Sequence, residues 1–233
     1  NRPLHTRGGG FVGKWDHDEA PFLVGPMEEL SSSALTTCVV GPARCGKTTI
    51  GQNWIYQSVA VDQADFLVYA QTDDALESYV KREIEPMIDL HPIMRDRLGL
   101  KPKDRSLHFK KFEGMWVEFL ASTYNNLIGK SASRIIITEL DACPVYEQGD
   151  TYSLGTTRRE TFGQASLALV ESHPDRAAGR HPSNLTAGTM QTSPATERRT
   201  WWRPCPPRNP YPSPTPGADR QLTLDWPLDA PPH

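Results

Sequence analysis

The sequence lacks any long hydrophobic run. Hydrophobic residues make up 37% of its 233 residues, but none of their runs approaches the roughly 20 residues that a membrane-spanning helix needs. The chain begins at Asn1 and its first residues lack the basic and apolar pattern of an export signal, so we expect a fragment and find no sign of export. The four cysteines form no C-x-x-C pair, which argues against a disulfide scaffold. We therefore expect no membrane partner, and reduced thiols in a cytoplasmic protein.

An excess of positive charge is missing too, since the formal net charge is −3. The molecule as a whole is therefore not expected to attract nucleic acid, and only a local cluster of basic residues could do so. The densest cluster runs from Arg95 to Lys111 and contains only two acidic residues, Asp96 and Asp104. It is interpreted either as a solvated loop or as a surface that contacts DNA phosphates.

Proline is spread unevenly along the chain and suggests where the folded part ends. Ten of the 21 prolines lie in residues 204–233. We predict a flexible leading segment over residues 1–20, a folded domain over residues 21–203, and a Pro-rich tail over residues 204–233. The composition of this tail is typical of disordered or out-of-frame sequence.

Within the folded part, apolar runs of strand length alternate with helical patterns. This alternation predicts an α/β fold with a mainly parallel sheet flanked by helices. A helix is expected to begin near Pro26, and another to run from Thr72 towards Leu90 with a kink at Pro86. The predicted strands are Leu35–Val40, Phe66–Ala70, Arg134–Leu140 and Ser166–Val170, with a hairpin formed by Leu107–Phe112 and Met115–Ala121.

Residues 41–48 read GPARCGKT and match the phosphate-loop pattern G-x-x-x-x-G-K-[ST] at every fixed position. Glycines let backbone N–H groups turn onto phosphate oxygens, and the following helix adds its positive end. Lys47 is expected to reach the β and γ phosphates, and the Thr48 hydroxyl to join a Mg²⁺ shell. We therefore predict a P-loop NTPase with ATP and Mg²⁺ as cofactors. The predicted ATP-binding residues are Gly41, Pro42, Ala43, Arg44, Cys45, Gly46, Lys47, Thr48 and Thr49.

Such an enzyme needs an acidic group at the end of a neighbouring strand, and Glu139 is the candidate. It follows the apolar run Ile135–Ile137 and is predicted to act as the general base for the attacking water. The preceding residue, Thr138, stands where the usual pattern has Asp. A hydroxyl can bond a metal-bound water but supplies no charge, so Asp141 is predicted to assist in holding the metal. Asp141 would share a strand face with Glu139 if the strand continued.

Arg44 lies inside the phosphate loop, two residues before Gly46. From there it can stabilise the charge that develops on the γ-phosphate, as an arginine finger supplied in cis does. We predict a catalytic role for Arg44 beside Lys47 and Glu139. The alternative is a surface arginine that pairs with a nearby carboxylate.

Several segments, in this order, resemble the ATPase domain of tailed-phage terminase large subunits of the lambda-like GpA family. The similarity covers roughly residues 22–205, and its most specific part is the phosphate loop. The other similar segments are PFLVGPMEEL, FLVYAQTDDALESYVKREIEPMIDLHP, TELDACP, LALVESHP and RRTWWRPCP.

The resemblance implies ATP hydrolysis that drives double-stranded DNA into a procapsid. It implies the additional-strand, catalytic-glutamate type of P-loop fold, with Ser172 or His173 sensing the γ-phosphate and coupling it to DNA movement. The alternative for His173 is a polar residue at a strand end without such a role. The implied partners are double-stranded DNA, the portal protein, the terminase small subunit and other copies of the chain in a homo-oligomeric ring. The implied location is the host cytoplasm.

The sequence departs from the family pattern after Cys205, where Pro207-Arg208-Asn209 replaces a second Cys. We expect a truncation or frameshift there, with no nuclease domain and no endonuclease activity, which a plasmid-nicking assay with Mg²⁺ or Mn²⁺ would test. Two alternatives for the function stay open. One is an ATP-binding remnant impaired in hydrolysis, and the other is a different P-loop enzyme of the RecA-like or kinase kind.

Overall fold

A computed structural model describes residues 3–4, 13–14, 17–18, 20–31, 35–42, 45–157, 159–173 and 198–202. Its main feature is one seven-stranded sheet. In chain order the strands are β1 (Thr36–Val40), β2 (Phe66–Ala70), β3 (Phe109–Phe112), β4 (Met115–Ala121), β5 (Arg134–Ile137), β6 (Leu167–Ser172) and β7 (Arg198–Trp202). Two-residue ladders also pair Pro3–Leu4 with Gly13–Lys14, and Val145–Tyr146 with Gly149–Asp150.

The helices mostly follow strands, as an α/β fold requires. They are α1 (Val24–Glu29), α2 (Lys47–Ala60), α3 (Asp73–Tyr79), α4 (Glu85–Leu90), α5 (Pro92–Arg97), α6 (Tyr124–Gly129) and α7 (Thr151–Thr157). Short 3-10 segments cover Pro21–Leu23, Pro102–Asp104, Leu140–Ala142 and Glu160–Ala165. Within the described ranges, no helix has the length and apolar character to cross a bilayer.

The strand order is β7-β1-β6-β5-β2-β4-β3. Every pairing is parallel except that of the edge strand β3 with β4. Strand β6 therefore lies between β1, which leads into the phosphate loop, and β5, which leads to Glu139. This confirms the predicted P-loop NTPase fold with an additional strand.

The apolar core lies on both faces of the sheet. On one face, residues such as Val68, Ile136 and Leu169 pack with Ile50 and Trp54 of α2. Neighbouring strand residues point to the opposite face, because side chains alternate along a strand, and there they pack with α6 and α7. The central strands are thus buried on both faces, as parallel strands in this class are.

The helical stretch after β2 changes register in its middle. Thr72 caps α3 by accepting a hydrogen bond from the backbone N–H of Ala75 at 3.2 Å. A π-helical turn, Val80–Ile84, then joins α3 to α4. Pro86 follows this turn, and proline has no N–H for the helix ladder and crowds the preceding turn. The wider turn fits that disruption, and it corresponds to the kink predicted at Pro86.

The basic run Arg95–Lys111 is not uniformly solvent-facing. Lys110 is only 3% exposed, and its ammonium pairs with Glu85 at 3.0 Å. Arg97 donates a hydrogen bond to the carbonyl oxygen of Val59. The exposed basic side chains of the run are Arg95, Lys101, Lys103, Arg105 and Lys111.

Several predicted boundaries need correction, including that of β6, which runs over Leu167–Ser172 rather than Ser166–Val170. Helix α1 begins at Val24 rather than near Pro26, because proline is tolerated within the first turn of a helix, where the N–H groups have no helical partner. Strand β5 ends at Ile137 rather than continuing to Leu140. The Pro-rich tail over residues 204–233 lies outside the described residues and stays a prediction.

Candidate functional site

The phosphate loop connects the carboxyl end of β1 to the amino end of α2. Gly41 donates its backbone N–H to the carbonyl oxygen of Ser172 at 3.3 Å, which joins the loop to the end of β6. Gly46 has φ of +88°, and α2 begins at the next residue. Ala43 and Arg44 lie outside the described residues, so the predicted roles of both stay predictions.

Lys47 is held inside the loop. Its side-chain ammonium donates to the carbonyl oxygens of Gly41 at 2.8 Å and of Pro42 at 3.1 Å. The residue is only 5% exposed. A buried ammonium needs such acceptors, and phosphate oxygens can replace carbonyl oxygens in that role.

Two structural features favour glycine at position 46. Its positive φ is a conformation that costs other residues energy. In addition, a Cβ built at Gly46 would lie 2.8 Å from Cδ1 of Leu23. Leu23 is buried in the core beside α1. The segment before α1 therefore packs directly on the phosphate loop.

The chain turns sharply where β5 ends. Thr138 is still hydrogen-bonded to the sheet, because its N–H and its hydroxyl both donate to the Tyr69 carbonyl oxygen, at 2.9 and 3.1 Å. Glu139 then adopts φ 50° and ψ 52°, the one positive φ outside glycine among the described residues. Such backbone strain in a non-glycine residue is often found at functional sites. The 3-10 turn Leu140–Ala142 follows.

This turn, rather than a continued strand, brings Asp141 beside Glu139. Ligand atoms of Glu139, Asp141 and His173 all lie within 4.8 Å of one another. The Asp141 carboxylate accepts hydrogen bonds from the Ser172 hydroxyl and from the backbone N–H of His173. Nδ1 of His173 is hydrogen-bonded to the Glu139 carboxylate. The ends of β5 and β6 are thus tied together.

A pocket of about 130 Å³ lies between the phosphate loop and the end of β5. It contains three predicted site residues, Thr48, Thr138 and Glu139, and so brings the phosphate loop and the acidic motif together. It also contains Glu171, which the sequence reasoning did not assign. The remaining lining residues are Ala70, Gln71, Ala75 and Tyr79.

Glu171 is a buried carboxylate in this pocket. It is 3% exposed, and its Oε2 has no hydrogen-bond partner in the described structure. Burial, reinforced by the negative charge of Glu139, raises the pKa of Glu171 to about 8, although the Lys47 ammonium opposes the rise. A buried carboxylate oxygen without a hydrogen-bond partner is costly, and a cation bound in the pocket would lower that cost.

These oxygen groups suit a divalent cation. Mg²⁺ prefers carboxylate, hydroxyl and water oxygens and usually keeps several waters. The hydroxyls of Thr48 and Thr138 and the carboxylates of Glu139 and Glu171 line one pocket, and the unsatisfied Oε2 of Glu171 offers a free acceptor there. The residues present therefore fit a Mg²⁺ site next to the phosphate loop.

Together these features define a class. A phosphate loop after β1, an acidic residue after β5 and a strand between them describe a P-loop NTPase of the additional-strand type. The model of the family "Phage terminase large subunit gpA, ATPase domain" matches residues 9–228. The chain belongs to this family, which confirms the resemblance found in the sequence.

Several solved structures are similar to the chain. The large terminase of bacteriophage HK97 aligns with a TM-score of 0.53 and 14% identity, over 70% of this chain and 34% of that one. The large terminase of a thermophilic bacteriophage aligns with a TM-score of 0.48 and 13% identity, over 66% of this chain and 39% of that one. The large terminase ATPase domain of Thermus phage P74-26 aligns with a TM-score of 0.46 and 14% identity, over 67% of this chain and 68% of that one.

The chain thus spans between a third and two-fifths of the first two of these proteins. At 14% identity, the HK97 similarity shows a shared fold alone. No curated protein sequence matches the chain.

Proposed function

We propose that the chain is the motor domain of a phage DNA-packaging machine, which hydrolyses ATP and couples hydrolysis to the movement of double-stranded DNA into a procapsid. Family membership supports nucleotide hydrolysis. The observation that carries the proposal is the single pocket that contains both Thr48 of the phosphate loop and Glu139.

ATP binding starts from the position of Lys47. Its ammonium exchanges the Gly41 and Pro42 carbonyl oxygens for the β and γ phosphates. Backbone N–H groups at the start of α2 donate to the same phosphates, where the positive end of this 14-residue helix stabilises them. The further contacts proposed are those of Ala43, Arg44, Cys45, Gly46, Thr48 and Thr49.

Hydrolysis needs a base beside the γ-phosphate. Glu139 takes a proton from the attacking water, while the water oxygen bonds to the γ-phosphorus and the bond to ADP breaks. His173 holds the Glu139 carboxylate through Nδ1. Arg44 stabilises the charge on the transferring phosphoryl group.

A bound Mg²⁺ neutralises the phosphate charge. The Thr48 hydroxyl is proposed as a direct ligand and the Thr138 hydroxyl as a partner for a metal-bound water. Asp141 adds negative charge from the turn after β5. Because its carboxylate already accepts hydrogen bonds from Ser172 and His173, this contribution is through space.

Coupling to DNA runs through the end of β6. Ser172 contacts the phosphate loop through its carbonyl oxygen and Asp141 through its hydroxyl. A change at the γ-phosphate therefore reaches Gly41, Ser172 and His173 together. DNA is proposed to contact the exposed basic residues of the run, chiefly Lys101 and Lys103, since a motor that tracks any sequence needs phosphate contacts.

The remaining partners follow from the family. We propose that the domain acts in the host cytoplasm, in a homo-oligomeric ring on the portal protein, together with the terminase small subunit. The ring, the portal protein and the small subunit belong to the packaging complex, of which this domain would be one part.

The test is ATP turnover by the 233-residue chain with and without double-stranded DNA. We expect turnover in the wild type, stimulation by DNA, and loss of turnover in Lys47→Ala. Lys130→Ala removes a lysine that pairs with Glu118 away from the pocket, and it is expected to keep wild-type turnover. If the wild type matches Lys47→Ala and Thr138→Asp restores activity, the chain is a hydrolysis-impaired remnant and the proposal is wrong.

A further inference from the structure

Thr138 leaves the end of β5 without the carboxylate that holds magnesium waters in other P-loop enzymes. Its hydroxyl donates to the Tyr69 carbonyl oxygen at 3.1 Å. A hydroxyl fixed in this way can still accept a hydrogen bond from a metal-bound water, but it contributes no negative charge. The charge has to come from another residue near the pocket.

Glu171 lies on the face of the sheet that packs against α2, where its carboxylate can supply the negative charge that Thr138 lacks. Leu169 pairs with Ile136 across β6 and β5, and both belong to the core cluster on the α2 face of the sheet. Because side chains alternate, Glu171 and Thr138 stand two residues further on and point to that same face. This is the face where the first turn of α2 carries Thr48, and all three residues line the pocket.

The state of the Glu171 side chain also indicates a ligand. Oε2 of Glu171 is a buried carboxylate oxygen that has no hydrogen-bond partner in the described structure. Buried polar atoms are satisfied in most proteins. A carboxylate oxygen that is buried, unpaired and aimed into a pocket with two hydroxyls has the chemistry of a cation site.

The geometry points to Glu171 as the carboxylate that holds the Mg²⁺ of the Mg²⁺·ATP complex, replacing from β6 the acidic residue missing at Thr138, directly after β5. This inference rests on the proposed function, since it names a metal-holding residue of that same site. Glu171 lies on β6, which pairs with β1, whereas Thr138 follows β5, which is one strand further from the phosphate loop.

Metal affinity tests the assignment directly. Mn²⁺ is titrated into the full chain with a non-hydrolysable ATP analogue, and free Mn²⁺ is measured by electron paramagnetic resonance. We expect Glu171→Gln to weaken Mn²⁺ binding at least about tenfold, because it removes the charge and keeps the shape. Affinity for the analogue in EDTA is expected to stay within about twofold of the wild type.

A matched control is Glu118→Gln, which removes another carboxylate from a sheet strand. Glu118 has a 19% exposed side chain paired with Lys130 and does not line the pocket. Its Mn²⁺ affinity is expected to remain that of the wild type. Thermal unfolding of each variant shows whether the fold is kept.

Thr138→Asp tests the inference without altering Glu171. If Glu171 already supplies the charge, Thr138→Asp tightens Mn²⁺ binding in the wild type by less than about twofold, but restores it in Glu171→Gln. A large gain in the wild-type background, or unchanged affinity in Glu171→Gln, would overturn the assignment while nucleotide binding persists. Failure of the wild type to bind the analogue at all would overturn the proposed function as well.

Discussion

Glu139 and His173 are hydrogen-bonded to each other across the ends of two neighbouring strands, β5 and β6. Their side chains are 36% and 33% exposed, and Glu139 also lines the pocket. The base proposed for hydrolysis is therefore held by the residue that directly follows β6, the strand that contacts the phosphate loop.

Replacing His173 by Ala is expected to lower kcat about 10- to 100-fold, with KM for ATP nearly unchanged. The reason is that the variant leaves Glu139 chemically intact but no longer fixed, and misplaced catalytic groups cost rates of this size. Steady-state kinetics with ATP measure both constants. His108→Ala, at an exposed histidine outside the pocket, is the control, and an equal loss of kcat in it would contradict the positioning role.

Gly46→Ala is expected to weaken nucleotide binding and lower stability. The φ of +88° costs a residue with a Cβ roughly 1–2 kcal/mol, and the new Cβ would also contact Leu23 closely. Binding of a fluorescent ATP analogue and thermal unfolding measure the two effects. The double variant Leu23→Ala, Gly46→Ala removes the contact but not the backbone strain, so full recovery in it would show that strain is unimportant.

Stability without nucleotide and metal is expected to fall as the pH rises towards 8. Glu171 has a pKa raised from 4.5 to about 8 in the folded chain. Between those values the folded state binds a proton that the unfolded state has lost, so each step up in pH favours unfolding. The charged groups that face Glu171 are Glu139 and Lys47.

The unfolding temperature at about pH 5.5 and about pH 8.5 measures this effect. Wild-type protein is expected to lose several degrees more than Glu171→Gln over that interval, because the glutamine does not titrate. Equal losses in the two proteins would show that burial of Glu171 does not control the pH dependence.

Neutralising the exposed basic residues Lys101 and Lys103 is expected to weaken DNA binding and flatten its salt dependence. Each lost phosphate contact reduces the magnitude of the negative slope of log K against log salt concentration by about 0.9. Binding of a fluorescent duplex at several salt concentrations measures the slope. The control is Lys81→Ala, an exposed lysine paired with Glu77 outside the run, and an unchanged slope in the Lys101 and Lys103 variant would rule out this surface.

Sequence patterns predicted the elements whose cause is local. The strand Phe66–Ala70 is apolar throughout and the structure reproduces it residue by residue. Thr72 has the residue type of a helix cap and does cap α3. The end of β5 was not predicted correctly. Glu139 adopts a left-handed conformation there and is hydrogen-bonded to His173, a residue distant in sequence, so the residues around Glu139 do not indicate the turn.

Glu171 shows why the site was only partly predictable. The predicted strand ended at Val170, whereas β6 continues to Ser172. The role of Glu171 depends on which strands are neighbours, and only the order β1-β6-β5 places Glu171 beside Thr138. The available signal was a charged residue directly after the apolar run Leu167–Val170, at the carboxyl end of a parallel strand.

The salt bridge between Lys110 and Glu85 affects how copies of the chain can associate. Lys110 belongs to the edge strand β3, and its charge is directed into the protein. Charges carried inward on edge strands discourage a second sheet from adding on. Side-by-side joining of sheets at this edge is therefore disfavoured, so neighbouring copies in the proposed ring would meet at this edge through side chains and loops rather than through a shared sheet.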